Sequence, residues 1–248
     1  MRKIPCEKCA TRRVCIIADL PDEKLDAFRC GAAMALYRAR QVIFHHGTPA
    51  SGLYLLCHGA VKLYQSDCFG RDHIVAVARA GDVLGELPAD PTEPYSVSAE
   101  ALSDSQICYL SRQRLAALVH LHPAAGVRLI GALSTMLSSA RKKLRAFALK
   151  KAESRLAELL LELAAAENAN WNGKERCSGI MRVMLRYSRR QIGEMIGVST
   201  ETAIRLFGQL KQTHAISIDH REVVIADVEK LVRIAHQDEI LARQGLGP

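Results

Sequence analysis

Between residues 188 and 210 the chain reads SRRQIGEMIGVSTETAIRLFGQL, a string that few local folds accommodate. Ser188 followed by Gln191 makes a capping box, which predicts a helix starting near Arg189. Ile192 and Ile196 fall on its inner face, and Gly193 is small enough for a second helix to cross closely. Gly197 supplies the φ > 0 residue of a tight turn, a conformation few other residues tolerate. Ser199 then caps a second helix whose Ala203 and Leu206 pack inward. This is the pattern of a helix-turn-helix.

The residues this pattern leaves outside are those that nucleic-acid readout needs. Ser188 and Arg189 open the first helix, and Ser199, Thr200, Glu201, Thr202, Ile204 and Arg205 lie along the second. Arg205 can donate two hydrogen bonds to guanine O6 and N7, and Glu201 can accept one from cytosine N4. From residue 182 to 214 six Lys/Arg stand against two Asp/Glu, a local charge of +4 that suits phosphate. The whole chain carries +8, with a pI near 9.2, which favours an anionic partner. A hairpin predicted from 215–218 and 222–225 turns the motif into a winged helix. A helix-turn-helix that serves packing alone is the other reading.

Upstream, Gly126, Ile130, Leu133, Leu137, Ala140, Leu144 and Phe147 recur at steps of four and three, the spacing of a coiled-coil seam. Pro123 suits a first helical turn. A helix from there to about residue 149 would be roughly 40 Å long. It is either a long buried helix of one domain or a dimer seam through Ile130, Leu133, Leu137, Ala140, Leu144 and Phe147. Other helices are predicted over 20–34, 111–120 and 151–166. From 35 to 110 short apolar runs at 41–44, 52–57, 60–64, 74–78, 96–101 and 106–110 are separated by glycines, which predicts a β barrel or sandwich.

The resulting class is α+β, with an arm at 1–19, a β-rich domain at 20–121, the long helix at 122–150, a reader at 151–238 and a tail at 239–248. No apolar run reaches the ~18 residues of a membrane span, and the N-terminus lacks the apolar core of a signal peptide. A cytoplasmic protein without a membrane partner is expected.

Eight cysteines in a reducing compartment point to metal, redox chemistry or burial rather than disulfides. Cys6, Cys9 and Cys15 are spaced C-x2-C-x5-C in the cationic arm. Thiolates so spaced could hold a metal or stand as spare thiols. Cys30, Cys57, Cys68 and Cys177 read as small buried hydrophobes or incidental thiols.

In this order of parts the chain resembles the CRP/FNR family of bacterial transcription regulators over nearly its whole length. RAGDVLGELP at 79–88 looks like the family's turn into its ligand cassette, and Glu201 and Arg205 fall where members read a G·C pair. The resemblance implies a β-roll sensor of the cyclic-nucleotide-binding type, a dimerisation helix, a winged helix-turn-helix, a homodimer and promoter DNA as partner. It also implies contact with RNA polymerase through the loop around residues 69–72. Cyclic-nucleotide members place an arginine where this chain has Tyr95, before Ser96, so cAMP is not the expected ligand.

FNR-type members, named for fumarate and nitrate reduction, use the same C-x2-C-x5-C arm and one cysteine of the β domain. By that resemblance Cys6, Cys9, Cys15 and Cys108 would hold an oxygen-labile [4Fe–4S] cluster that controls dimerisation. Binding would then occur at a palindromic site related to TTGAT, with Ile204 replacing the serine of FNR-type members. A Zn²⁺ ion on the same four thiols is the rival occupant. Rival functions are a cluster-free regulator with another small ligand and, from a different class, a thiol or zinc redox enzyme. The latter would need a C-x-x-C within a βαβ pattern, which is absent, so an enzyme is not expected.

Overall fold

Alternation and glycine turns build eight strands: β1 (Ala33–Tyr37), β2 (Val42–Phe44), β3 (Gly52–His58), β4 (Ala60–Ser66), β5 (Asp72–Arg79), β6 (Val83–Leu84), β7 (Ser98–Ala101) and β8 (Ser105–Ser111). The computed structural model describes residues 8–21, 23, 33–90, 92–167, 181–184, 187–219 and 222–243. The strands form two four-stranded antiparallel sheets, in the orders β1-β8-β3-β6 and β2-β7-β4-β5.

The first sheet is covered on both faces, and the period of two along its strands sorts its side chains. Leu56, Leu84 and Ile107 face the second sheet, with Phe44, Val61, Tyr95 and Ala99. Leu53, Leu55, Cys108 and Leu110 face the other way, onto Ile16, Ile17 and Leu20 of the arm. Also on that face are Leu115 and Leu118 of α1 (Arg112–Leu121) and Ala125 of α2 (Pro123–Leu149). Burying Ile16, Ile17 and Leu20, each at most 5% exposed, contributes roughly 1.5–3 kcal/mol apiece as an upper estimate. The arm is therefore packed onto the sheet by its own apolar residues.

Most of the helix expected over 20–34 lies outside the described residues, but its end is corrected. Ala33 and Met34 begin β1, paired with Tyr109 and Cys108 of β8. Pairing with β8 overrides the helix-forming composition of Ala-Met-Ala-Leu. The other predicted strands form, several of them one or two residues longer at an end. β6 and β9 (Met181–Met184) are additional. Trp171 and the polar loop around it lie outside the described residues.

The chain divides into two compact units, residues 1–138 and 139–248, with the boundary inside α2. In the second unit α3 (Ala152–Glu167) buries Leu156, Leu160 and Ala164. α4 (Arg189–Ile196) and α5 (Thr200–Gln212) follow, then β10 (Ile216–Asp219), β11 (Glu222–Ile225) and α6 (Val228–Arg243). β10, β11 and β9 form the wing in that order. α6 runs past residue 238 into the segment expected to be tail, and from it Asp238 accepts the Lys151 N–H at 2.8 Å, next to the start of α3.

Along α2 only Ala125 is buried. Ile130, Leu133, Leu137 and Leu144 are 45–71% exposed, and Phe147 is 41% exposed. Ala140 is exposed too. Within one chain the apolar stripe is therefore not a buried core face. Gly126 belongs elsewhere: a Cβ there would sit 3.0 Å from Val119 of α1.

Candidate functional site

Two regions carry chemistry, one in each unit. In the first, Cys9 to Cys15 is a single tight turn. A 3-10 segment at Arg12–Val14 is closed by Arg12 N–H to Cys9 O at 3.1 Å and Cys15 N–H to Thr11 O at 3.0 Å. The turn lies over β3, where the Thr11 hydroxyl donates to the Cys57 carbonyl at 3.3 Å and the Cys9 thiol approaches the same oxygen at 3.9 Å. The Arg12 guanidinium donates to Leu20 O at 2.8 Å and holds the two limbs of the arm together. Arg128 of α2 grips Asp19 through a two-pronged ion pair, which is solvent-exposed and adds little to stability.

Beneath this turn is a cavity of about 20 Å³, walled among others by Cys9, Thr11, Arg12, Cys15, Cys57 and Cys108. Three of the four cysteines expected to hold a cluster, Cys9, Cys15 and Cys108, thus share one cavity; Cys6 lies outside the described residues. Burial pushes the Cys15 thiol up, and the nearby Cys9 adds to the rise. A bound cation would reverse that by favouring the thiolate. Among the described residues no three ligating side chains stand close enough to hold a metal ion. The donor chemistry fits a thiolate-bound metal, whereas the volume matches about one water or a single ion. A four-iron cube would need the turn to ride further out.

Two wall residues escaped sequence reasoning. Cys57 shares its face of β3 with Leu55, so it looks into the arm pocket. Gly81, inside the RAGDVLGELP segment, has φ 106°, and a Cβ there would lie 2.8 Å from Val14. This glycine lets the arm pass. Cys68 is exposed, and Cys30 and Cys177 lie outside the described residues.

The segment that resembles the family's ligand cassette is engaged internally. The Glu86 carboxylate accepts hydrogen bonds from the Ser96 N–H at 3.0 Å and from its hydroxyl. Tyr95 is 2% exposed, donates to Gly52 O at 2.8 Å, and makes tilted ring contacts with Phe44 and Tyr54 in the roll.

In the second unit the reader is assembled as its motif predicts. The Ser188–Gln191 capping box is complete, and Gly197 ends α4 at φ 69°. A Cβ on Gly193 would meet Val198 O at 2.9 Å. Ser199 caps α5 through the Thr202 N–H. Ser199, Glu201, Ile204 and Arg205 are exposed, and Thr200 and Thr202 partly so. The Glu201 carboxyl is held below its usual range by its own backbone N–H and by Ser199, so it stays an acceptor at neutral pH. Arg189 is drawn inward: its guanidinium stacks 3.6 Å from the Phe207 ring centre, with Nη1 buried and unbonded.

Gly197 meets a second constraint, because a Cβ there would come within 2.5 Å of the Phe147 ring. Gly197→Ala is expected to destabilise this unit by about 1–2 kcal/mol from backbone strain alone. Denaturant titration checks this, with the midpoint falling and the slope unchanged.

The comparisons with known proteins agree with both halves. A cyclic nucleotide-binding domain model matches residues 35–122, and a Crp-like helix-turn-helix domain model matches residues 154–234. This chain belongs to the CRP/FNR family of transcription regulators. Among CRP/FNR relatives, the transcriptional activator protein Anr of Pseudomonas aeruginosa is 26% identical over 93% of this chain and 92% of its own. The cAMP-activated global transcriptional regulator CRP of Pasteurella multocida is 25% identical over 82% of this chain and 95% of its own. The structure of FixK2 from Bradyrhizobium japonicum superposes with a TM-score of 0.66 at 26% identity, covering 82% and 96% of the two chains. As a CRP/FNR protein the chain is a DNA-binding regulator, and none of its described helices is long and apolar enough to cross a membrane.

Proposed function

We propose that this regulator responds to oxygen or redox state through a [4Fe–4S] cluster held by Cys6, Cys9, Cys15 and Cys108, and acts as a cytoplasmic homodimer on palindromic promoter sites related to TTGAT. The observation that carries the reading is the meeting of Cys9 and Cys15 with Cys108 around one cavity, although the arm and β8 are far apart in sequence. When bound, the cluster supplies an oxygen-labile cross-link between arm and β-roll. The chain's own residues do the rest. Ile16, Ile17 and Leu20 dock the arm, Arg12 brings positive charge to the thiols, and Arg128 joins Asp19 to the helix that carries the proposed seam.

That seam is Ile130, Leu133, Leu137, Ala140, Leu144 and Phe147, an exposed apolar stripe suited to a second copy of itself. The engaged Glu86–Ser96 pair and the buried Tyr95 support a sensor that does not take cAMP. The exposed Phe69 on the β4–β5 turn is the proposed RNA polymerase contact.

Anaerobic purification with iron, sulfide and zinc analysis tests the reading. About four iron atoms per chain support it, and a colourless, iron-free protein overturns it. A second reading, one Zn²⁺ ion on the thiols, is favoured by the small cavity and would appear as one zinc without iron.

On the DNA side, Arg205→Ala is expected to weaken specific binding roughly 10-fold or more per half-site while sparing non-specific binding. Anisotropy titrations on specific and scrambled duplexes at one salt concentration measure both.

A further inference from the structure

Four of the described cysteines wall the arm cavity, and Cys57 is the one that neither the family pattern nor the metal reading uses. We propose that Cys57 is a redox-modification site that forms a disulfide with Cys9 and ties the arm to β3 without metal.

Three observations converge on this pair. Cys57 packs against the cluster that Leu55 of β3 forms with the arm's Ile16, Ile17 and Leu20. The arm turn is anchored at Cys57 itself, whose carbonyl takes the Thr11 hydroxyl at 3.3 Å and lies 3.9 Å from the Cys9 sulfur. Both thiols are only half-buried, so a small reagent reaches them, whereas Cys108 is 2% exposed.

The alternative partner on the sheet is disfavoured by access. Cys57 stands at the bulge between Leu56, paired with Ile107, and His58, paired with Gln106, while Cys108 pairs with Leu55 in the regular part of the ladder. At 2% exposed, Cys108 is closed to a small-molecule disulfide. Cys9 sits on a short turn outside the sheet and can shift to meet Cys57.

The co-reactant is a small-molecule disulfide such as oxidised glutathione. One thiolate attacks a reagent sulfur and releases the first reduced thiol. The second protein thiolate then attacks the mixed disulfide and releases the other. One protein S–S bond forms and the reagent's S–S bond breaks. The two cysteines lose two electrons and two protons, which the two released thiols carry away. A further consequence rests on the metal reading: Cys9 in a disulfide is unavailable as a ligand, so the oxidised arm stays docked yet cannot be reloaded until reduced.

The test uses the full chain, purified and treated with chelator, then exposed to oxidised glutathione. Alkylation of the remaining free thiols and non-reducing peptide mapping locate the bond. A Cys9–Cys57 linkage in most chains is expected, reversed by dithiothreitol and absent from Cys57→Ser and Cys9→Ser. A Cys9–Cys15 linkage, or glutathione adducts with no internal bond, would overturn the proposal on the wild-type protein alone. Metal analysis of the untreated protein is separate. A chain that holds no metal yet forms the bond retains this inference and loses the cluster.

Discussion

Leu137→Glu is expected to yield a folded protein that no longer dimerises and has lost roughly 100-fold or more in affinity for its promoter site. Leu137 is 52% exposed within one chain, so a carboxylate there meets water and the fold has no reason to change. In a dimer built on the stripe, the same side chain would face its symmetry mate among Leu133, Leu144 and their copies. An uncompensated charge buried in an apolar setting costs of the order of 3–5 kcal/mol, and a symmetric seam would hold two. A monomer engages one half-site where a dimer engages two. Sedimentation gives the oligomeric state, circular dichroism the fold and anisotropy the affinity. Lys142→Glu, on an exposed residue outside the proposed seam, is the control and should stay dimeric. A Leu137→Glu protein that sediments as a dimer would place the interface on another surface.

Cys108→Ser is expected to reduce anaerobically bound iron from about four atoms per chain to fewer than one. The exchange conserves shape, and a serine hydroxyl is not a thiolate, the ligand such clusters need. Docking of the arm should survive, because Ile16, Ile17 and Leu20 bury themselves independently of the sulfur. Unchanged circular dichroism with iron lost would separate ligation from folding. Cys68→Ser, on the exposed β4–β5 turn, should keep its iron. Full iron in Cys108→Ser would remove Cys108 from the ligand set.

The parts of this chain legible in its sequence are those decided by neighbours within a few residues. The reader was readable because Ser188, Gln191, Gly193, Gly197 and Ser199 each act over one helical turn. The β-roll strands were readable because glycines mark their ends. β1 was not, since Ala33–Tyr37 carries helix formers and becomes a strand only by pairing with β8. β9 likewise exists through its pairing with β11. Cys57 reads as an incidental thiol for the same kind of reason. Its alternation with Leu55 is visible in the string, but which face of β3 the arm covers depends on a segment 46 residues earlier. Arg189 reads as a DNA contact in the sequence, and its stacking on Phe207 follows from a helix crossing that no single helix displays.

The burial of Ile16 and Ile17 alters what ligation has to accomplish. Cys15 is the residue before them, so its sulfur is presented at the cavity wall by hydrophobic docking before any ion arrives. The entropy of closing the loop from arm to β8 is offset by that docking rather than by metal–sulfur bonds. On the proposed ligation, Cys15 and Cys108 would therefore meet a metal from the walls of one cavity, at high effective concentration. Cys9, held by turn hydrogen bonds rather than by buried apolar side chains, is the thiol left to adjust to what arrives.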